Sequence, residues 1–403
     1  MEKIEPRLIK KTLVGLGIVV VAVTIILVVT GKTKEWALLQ PLAEIQKSFV
    51  KKKEPVILGF LPTWMVGKTK IYGGEITQLV FSGVEVAEDG SLVWDGQSKK
   101  LESDDFAKQK ESISKNGGKN ILGIKLFDDK KMEAFLASDE AKKRLFTEVR
   151  DILVAGNLVG VNIDFEYMSN PTRVLDEDFG LFLEGARMAG WGEISIDVFA
   201  NTIIKGNSEG LKKMMEKVDR VVVMAYDFHR PGSDFAGAVA PIRAEAGERS
   251  ITEIMEKIVG FDLEKEKIIM AYPLYGYEWE TETNLLNSAT RAGSYGSTVF
   301  YRVGIGLTGI NWDQLSQTPW VAWTEKAQRS KTESYKVGKK IYKKKIYYDV
   351  DQWHQAYFEN EASLKIKIEL AKQAQIGGVG FWALGYEGRE DNIISNLKFL
   401  FSN

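Results

Sequence analysis

The chain has 403 residues, with 54 Lys and Arg against 55 Asp and Glu and a formal net charge of -1. That balance gives no drive toward nucleic acid or another strongly charged partner. There is no cysteine and there are only two histidines, His229 and His354, which excludes disulfides, thiolate chemistry and a multi-histidine zinc site.

In chain order, the first feature is the run Thr12 to Thr30, "TLVGLGIVVVAVTIILVVT", which carries no charge. At about 1.5 Å per residue it is long enough to cross a bilayer's hydrocarbon. Lys3, Arg7, Lys10 and Lys11 precede it, and the positive-inside rule keeps such a start in the cytoplasm. The expectation is a cytoplasmic N-terminus at 1–11, a single transmembrane anchor at 12–30 and a polar juxtamembrane linker at 31–54. A cleaved signal peptide is the alternative, but the apolar run is long for one and no A-x-A site follows. Either way, everything after Gly31 is expected outside the cytoplasmic membrane.

From Pro55 onward, eight short apolar runs stand at 56–62, 76–86, 120–127, 158–165, 194–200, 220–226, 267–272 and 378–384. Helical spacing with charged faces occupies 130–154, 175–190, 208–218, 249–260 and 362–376. Strand-like runs joined by helical crossovers predict a parallel sheet, and eight of them predict a closed (β/α)8 TIM barrel over 55–403. A doubly wound open sheet is the competing architecture, but no GxGxxG phosphate loop supports it. Between the seventh and eighth runs, about 280–350, lie short alternating stretches rich in Gly, Thr, Tyr and Trp. They predict a small α+β insertion on the barrel rim. Within it, "KVGKKIYKKKIYYD" alternates Ile and Tyr with Lys and reads as a solvated hairpin; binding of nucleic acid or an anionic wall polymer is the lesser reading.

The fourth run ends "GVNIDFEY", 160–167. Strand side chains alternate faces, so Val161, Ile163, Phe165 and Tyr167 form an apolar face for the outer helices. Asn162, Asp164 and Glu166 then point into the barrel. Carboxylates there are costly unless paired or hydrogen-bonded, and the tolerable place is the C-terminal mouth where barrels keep their chemistry. Glu166, last of the three, should be the most exposed. An ionised Asp164 two residues away would raise the pKa of Glu166 and keep it protonated, as a glycosidic leaving group requires. A salt bridge or a cation site is the alternative for this cluster. Other strand ends bring Met224, Tyr226 and Asp227 in the sixth run, Tyr272, Tyr275 and Trp279 in and after the seventh, and Trp382 in the eighth. Aromatics at strand ends suit stacking against sugar faces, with Trp382 a candidate floor.

With these residues in view, the sequence resembles glycoside hydrolase family 18, the chitinase-like (β/α)8 enzymes. The family's fourth-strand pattern DGxDxDxE meets "VGVNIDFE" at Gly160, Asp164 and Glu166. Its sixth-strand MxYD meets Met224 to Asp227, and Trp382 falls at the eighth-strand tryptophan. Val159 and Asn162 replace two of the family's aspartates, and "GIKLFDD" stands in place of the third-strand SxGG. The resemblance implies a retaining, substrate-assisted glycosidase acting on β-1,4-linked N-acetylglucosamine glycans, chitin oligomers or peptidoglycan, with no metal or organic cofactor. Family members with Asn at the position of Asn162 include enzymes acting on bacterial wall glycans. The implied roles are Glu166 as acid, Asp164 orienting the substrate acetamide, Tyr226 hydrogen-bonding it, Asp227 supporting the site and Trp382 flooring the sugar. Asn162 is expected to hydrogen-bond Asp164 and so hold its charge to lower pH, giving an active enzyme with an altered pH profile. A carbohydrate-binding barrel without catalysis is the other class of reading, although such relatives usually lose the acid. A monomer is expected, attached to the membrane through the N-terminal run.

Overall fold

The computed structural model describes residues 55–402. The expected cytoplasmic segment, anchor and linker lie outside the described residues. Among the described residues no helix is long and apolar enough to cross a membrane.

Fourteen strands are present among the described residues. They are β1 (Val56–Pro62), β2 (Gln78–Val86), β3 (Leu92–Val93), β4 (Lys119–Leu126), β5 (Gly160–Phe165), β6 (Glu193–Phe199), β7 (Arg220–Met224) and β8 (Ile268–Pro273). Then follow β9 (Tyr275–Thr281), β10 (Ser297–Phe300), β11 (Asn311–Asp313), β12 (Thr318–Val337), β13 (Lys340–Tyr357) and β14 (Gly378–Trp382). Eight pair in parallel in the order β1-β14-β8-β7-β6-β5-β4-β2, and β1 closes on β2. This is the expected barrel, and each of the eight runs supplies one strand.

Two hydrophobic layers follow from the strand alternation. Val161, Ile163 and Phe165, with Ile194, Ile196 and Val198 of β6, pack outward into the main core against the helices. A smaller inner cluster holds Val56, Leu58, Phe60, Val80, Ile121, Val222, Ile269 and Ala271. Each apolar residue of this size buried contributes about 1.5–3 kcal/mol. The single helical stretch expected at 130–154 is two helices, Asp129–Ala137 and Asp139–Gly156. Asp128 and Ser138 each cap one by accepting a backbone N–H, from Lys131 and Ala141. Such caps compete with a continuous helix. Asp129 then accepts from Met168 and Ser169 N–H, fixing the loop that leaves β5. Gly160 opens β5 because a Cβ there would lie 2.2 Å from the Glu193 carbonyl of the adjacent strand.

The insertion between the seventh and eighth barrel strands is a five-stranded antiparallel sheet, β10-β9-β13-β12-β11. It spans 275–357, a little wider than the expected 280–350, because β9 begins two residues after β8 ends. The basic stretch is a hairpin, turning between Val337 and Lys340.

Candidate active site

β5 delivers its carboxylates as the alternation requires. Asn162 is fully buried, Asp164 is 9% exposed and Glu166, the next inward residue, is the most open of the three. Neighbouring strands add to the same level. Lys125 of β4 is in register with Asp164. One step beyond the Ile163↔Ile196 pair, Asp164 stands beside Asp197 of β6, which is 6% exposed. The mouth therefore holds a row of one lysine and two aspartates, with Glu166 above.

The hydrogen bonds divide this cluster in a way the sequence reading did not anticipate. The Asn162 amide donates to Asp197 Oδ1 at 2.7 Å and to Ser195 Oγ at 3.1 Å, not to Asp164. Asp164 hydrogen-bonds Glu166, and its Oδ1 is buried without a partner. Burial first, then the charge of Asp164, pushes Glu166 up to about 9, so it is a neutral acid at neutral pH. Burial also raises Asp164 to about 6, against the lowering effects of the Glu166 hydrogen bond and the Lys125 charge. Asp197 is held well above the carboxylate range by burial and by Asp164, although the Asn162 bond opposes this. The expectation that Asp164 keeps its charge to low pH is overturned. Desolvation outweighs hydrogen bonding, and the Asn162 bond that was to favour the anion goes elsewhere.

Asp227 follows β7 with a left-handed φ of 58°. It accepts the hydroxyls of Tyr275 at 2.5 Å and Tyr277 at 2.9 Å; burial raises its pKa while these two bonds lower it. Tyr226 is kept a neutral phenol, first by burial and then by the surrounding carboxylates, and so remains a donor. Trp382 packs on Phe60 and Trp64 at ring distances of 5.6 and 6.2 Å, which fixes its plane at the base of the opening.

Around these groups is a cavity of about 300 Å³ lined by Asp164, Glu166, Met224, Tyr226, Asp227, Tyr275 and Trp382 among others. A second volume of about 880 Å³ shares Glu166, Tyr226, Asp227 and Tyr277 with it. Glu166 thus stands where two halves of one cleft meet. Three expected residues do not reach it. Tyr272 is fully buried and donates to the Lys367 carbonyl in the helix Glu361–Gln373. On β8 it is Ala271 that joins the inner cluster, so Tyr272 points outward. Trp279 is sealed against Gly296 and donates to the Arg230 carbonyl. Asn162 lies beneath the cleft and acts through Asp197. Conversely, Asp197, Lys125, Tyr277, Trp64 and Tyr386 line the cavity and went unread. For Asp197 the signal was available: "ISIDVFA" sets one Asp on the inward face of an apolar strand, just as "NIDFE" does. Among the described residues no group of three or more His, Asp or Glu is arranged to hold a metal ion.

Comparison with known proteins agrees with this geometry. Residues 56–387 match the family Glycosyl hydrolases family 18, so the chain belongs to that family and is a glycoside hydrolase. It is 26% identical over 312 residues to the uncharacterized glycosylase YvbX of Bacillus subtilis, covering 74% of this chain and 78% of that one. It is 23% identical over 283 residues to the cortical fragment-lytic enzyme of the same organism, covering 68% of this chain but 57% of the relative's length. The fold superposes on a Group IV chitinase of Ostrinia furnacalis with a TM-score of 0.68 at 16% identity, over 87% of this chain and 100% of the other.

Proposed function

We propose that this glycoside hydrolase cleaves β-1,4-linked glycans containing N-acetylglucosamine, either chitin oligomers or peptidoglycan, by substrate-assisted catalysis with retained configuration. The observation that carries this is the pairing of a neutral Glu166 at the junction of the cleft with a buried Asp164 whose Oδ1 has no partner. A buried acceptor left unpaired is costly. An acetamide N–H from the substrate would satisfy it and turn the acetamide oxygen toward the anomeric carbon.

In this reading Glu166 gives its proton to the glycosidic oxygen as that bond breaks. The substrate's own acetamide oxygen attacks the anomeric carbon and forms an oxazolinium ion; family 18 is set apart from two-carboxylate glycosidases by such assistance. Asp164, ionised, faces the positive charge, and the Tyr226 hydroxyl hydrogen-bonds the acetamide. Asp197 holds the proton that keeps the two buried aspartates from ionising together. Glu166, now a carboxylate, takes a proton from the water that opens the oxazolinium. The names of the relatives, one cortical fragment-lytic and one a chitinase, support an N-acetylglucosamine polymer as the common ground.

The test is hydrolysis of N-acetylglucosamine oligomers beside their de-N-acetylated counterparts, with early products followed by NMR. Cleavage of the acetylated series alone, with β configuration retained, is expected. Equal rates on both series, or inverted product, would sink the mechanism.

A further inference from the structure

The β12–β13 hairpin takes no part in the chemistry above. Its base belongs to the insertion sheet, flanked by β11 and β9. From Glu325↔Gln352 to Val337↔Lys340 the two strands pair only with each other. At about 3.4 Å per residue that ribbon runs roughly 40 Å with both edges unpaired. A two-stranded ribbon of this kind is marginal by itself in water.

Its composition departs from the rest of the chain. Residues 326–348 carry nine Lys and Arg against one acid, Glu333, while the chain as a whole has a net charge of -1. Lys326, Lys331 and Arg329 are engaged by Asp351, Glu333 and Glu280. Lys336, Lys339, Lys340, Lys343, Lys344 and Lys345 have no acidic partner among the described residues. Tyrosines are interleaved with them. Tyr335 stacks on its cross-strand partner Tyr342 at 5.7 Å, and the Lys345 ammonium lies over the Tyr347 ring at 5.3 Å.

Lysines alone would serve to stop edge-to-edge pairing. That role does not account for Ile341 at 71% and Tyr347 at 59% exposure. A strand lying on a lipid surface would gather its apolar residues on one face. Here alternation puts Tyr342, Lys344, Ile346 and Tyr348 on one face and Ile341, Lys343, Lys345 and Tyr347 on the other. Cations and rings on both faces suit a rod surrounded by polymer: ammonium groups for fixed negative charges, tyrosine rings for the apolar faces of sugars. The sheet that carries the ribbon also lends Tyr275, Tyr277 and Thr298 to the cleft.

We propose that this ribbon is a binding arm for an anionic glycan, one bearing carboxylates along its length, which tethers the enzyme to the polymer it works on. The sugar character of the ligand rests on the reading of the cleft; the charge complementarity does not.

The test uses the full chain and polygalacturonate as the probe, with neutral dextran as the reference. Binding is expected to polygalacturonate alone, and to fade as salt screens exposed charges. Replacing Lys339, Lys340, Lys343, Lys344 and Lys345 together by Gln should weaken it on the order of 10²-fold. Hydrolysis of soluble neutral N-acetylglucosamine oligomers should be unchanged. A second variant replaces residues 328–349 by an Asn-Gly turn closing on the Ala327↔Val350 pair; it should lose the binding and keep that hydrolysis. Undiminished binding by either variant, equal binding to dextran, or tighter binding to polyphosphate, duplex DNA or phosphatidylglycerol vesicles would overturn the proposal. If no form of the protein cuts the oligomers, the reading of the cleft fails, while the polygalacturonate comparison still decides the arm.

Discussion

Asn162 donates its side-chain amide to Asp197 Oδ1 at 2.7 Å, across neighbouring barrel strands, and leaves Asp164 on its own strand without that bond. The second aspartate beside Asp164 therefore comes from β6, not from the "VGVNIDFE" stretch itself.

Removing that carboxylate should leave both the chemistry and the acidic limb of the pH profile close to wild type. Burial and the charge of Asp164 push the Asp197 pKa well up, and the proposed mechanism keeps it protonated, so Asp197→Asn mimics its neutral form and keeps an acceptor for Asn162. Activity at neutral pH should stay within about tenfold of wild type. The acidic limb of the rate–pH profile should stay where it is in wild type, because a protonated Asp197 places no charge beside Asp164. A limb moved downward would show that Asp197 is ionised in the wild-type enzyme and does not hold the proton.

Lys125, by contrast, carries a charge that Asp164 feels. Its charge lowers the pKa of Asp164, so Lys125→Gln should move the acidic limb upward. Steady-state rates of both variants across pH 4–10 check the one shift and the one fixed limb. An unmoved or lowered limb in the Lys125 variant would contradict the electrostatic assignment.

The wild-type profile should itself be bell-shaped. The proposed mechanism needs Asp164 ionised and Glu166 protonated. Rate should be lost as pH falls through about 6 and as it rises through about 9, each limb reporting the coupled cluster. A flat profile from pH 5 to 10 would remove Glu166 as the acid.

Glu166→Gln should reduce turnover by on the order of 10²–10⁴ while ligand binding survives. Stability should move the other way. The folded-state pKa of Glu166 is raised to about 9, so the folded chain binds a proton that the unfolded chain has released above its ordinary carboxyl pKa. Wild-type stability is therefore lost progressively from about pH 4 to about pH 9, and the Gln variant is spared this. It should be more stable by about 1–3 kcal/mol at pH 8 and equal to wild type near pH 4. Thermal melts at the two pH values test this; the same difference at both would refute it.

Tyr272→Phe separates a core tyrosine from a cleft one. The hydroxyl bonds the Lys367 carbonyl behind the barrel, so kcat/KM should be unchanged and stability should fall by about 1 kcal/mol. Tyr275→Phe, which takes one of two phenols from Asp227, should lower kcat/KM about tenfold. Kinetics that rank the two in the reverse order would return Tyr272 to the cleft.

What the sequence determined by itself is what depends on periodicity along one strand. Two-residue alternation set which face of β5 is acidic, and the order Asn162, Asp164, Glu166 along the strand set which residue is nearest the mouth. The eight apolar runs set the strand count, because each must be covered by a helix on the outside of a closed parallel sheet. Charge alternating with Ile and Tyr marked the hairpin. The tertiary structure decided what depends on phase and register between strands. Whether Tyr272 faces in or out turns on a single residue of phase in β8, and a run such as "IIMAY" is apolar at every position and does not reveal it. The level of Asp197 beside Asp164 comes from the β5–β6 register, and the choice of Asn162 between them is a competition of distances that no spacing within one strand contains. The pKa order of the cluster follows from burial, which belongs to the closed barrel and to none of its strands alone.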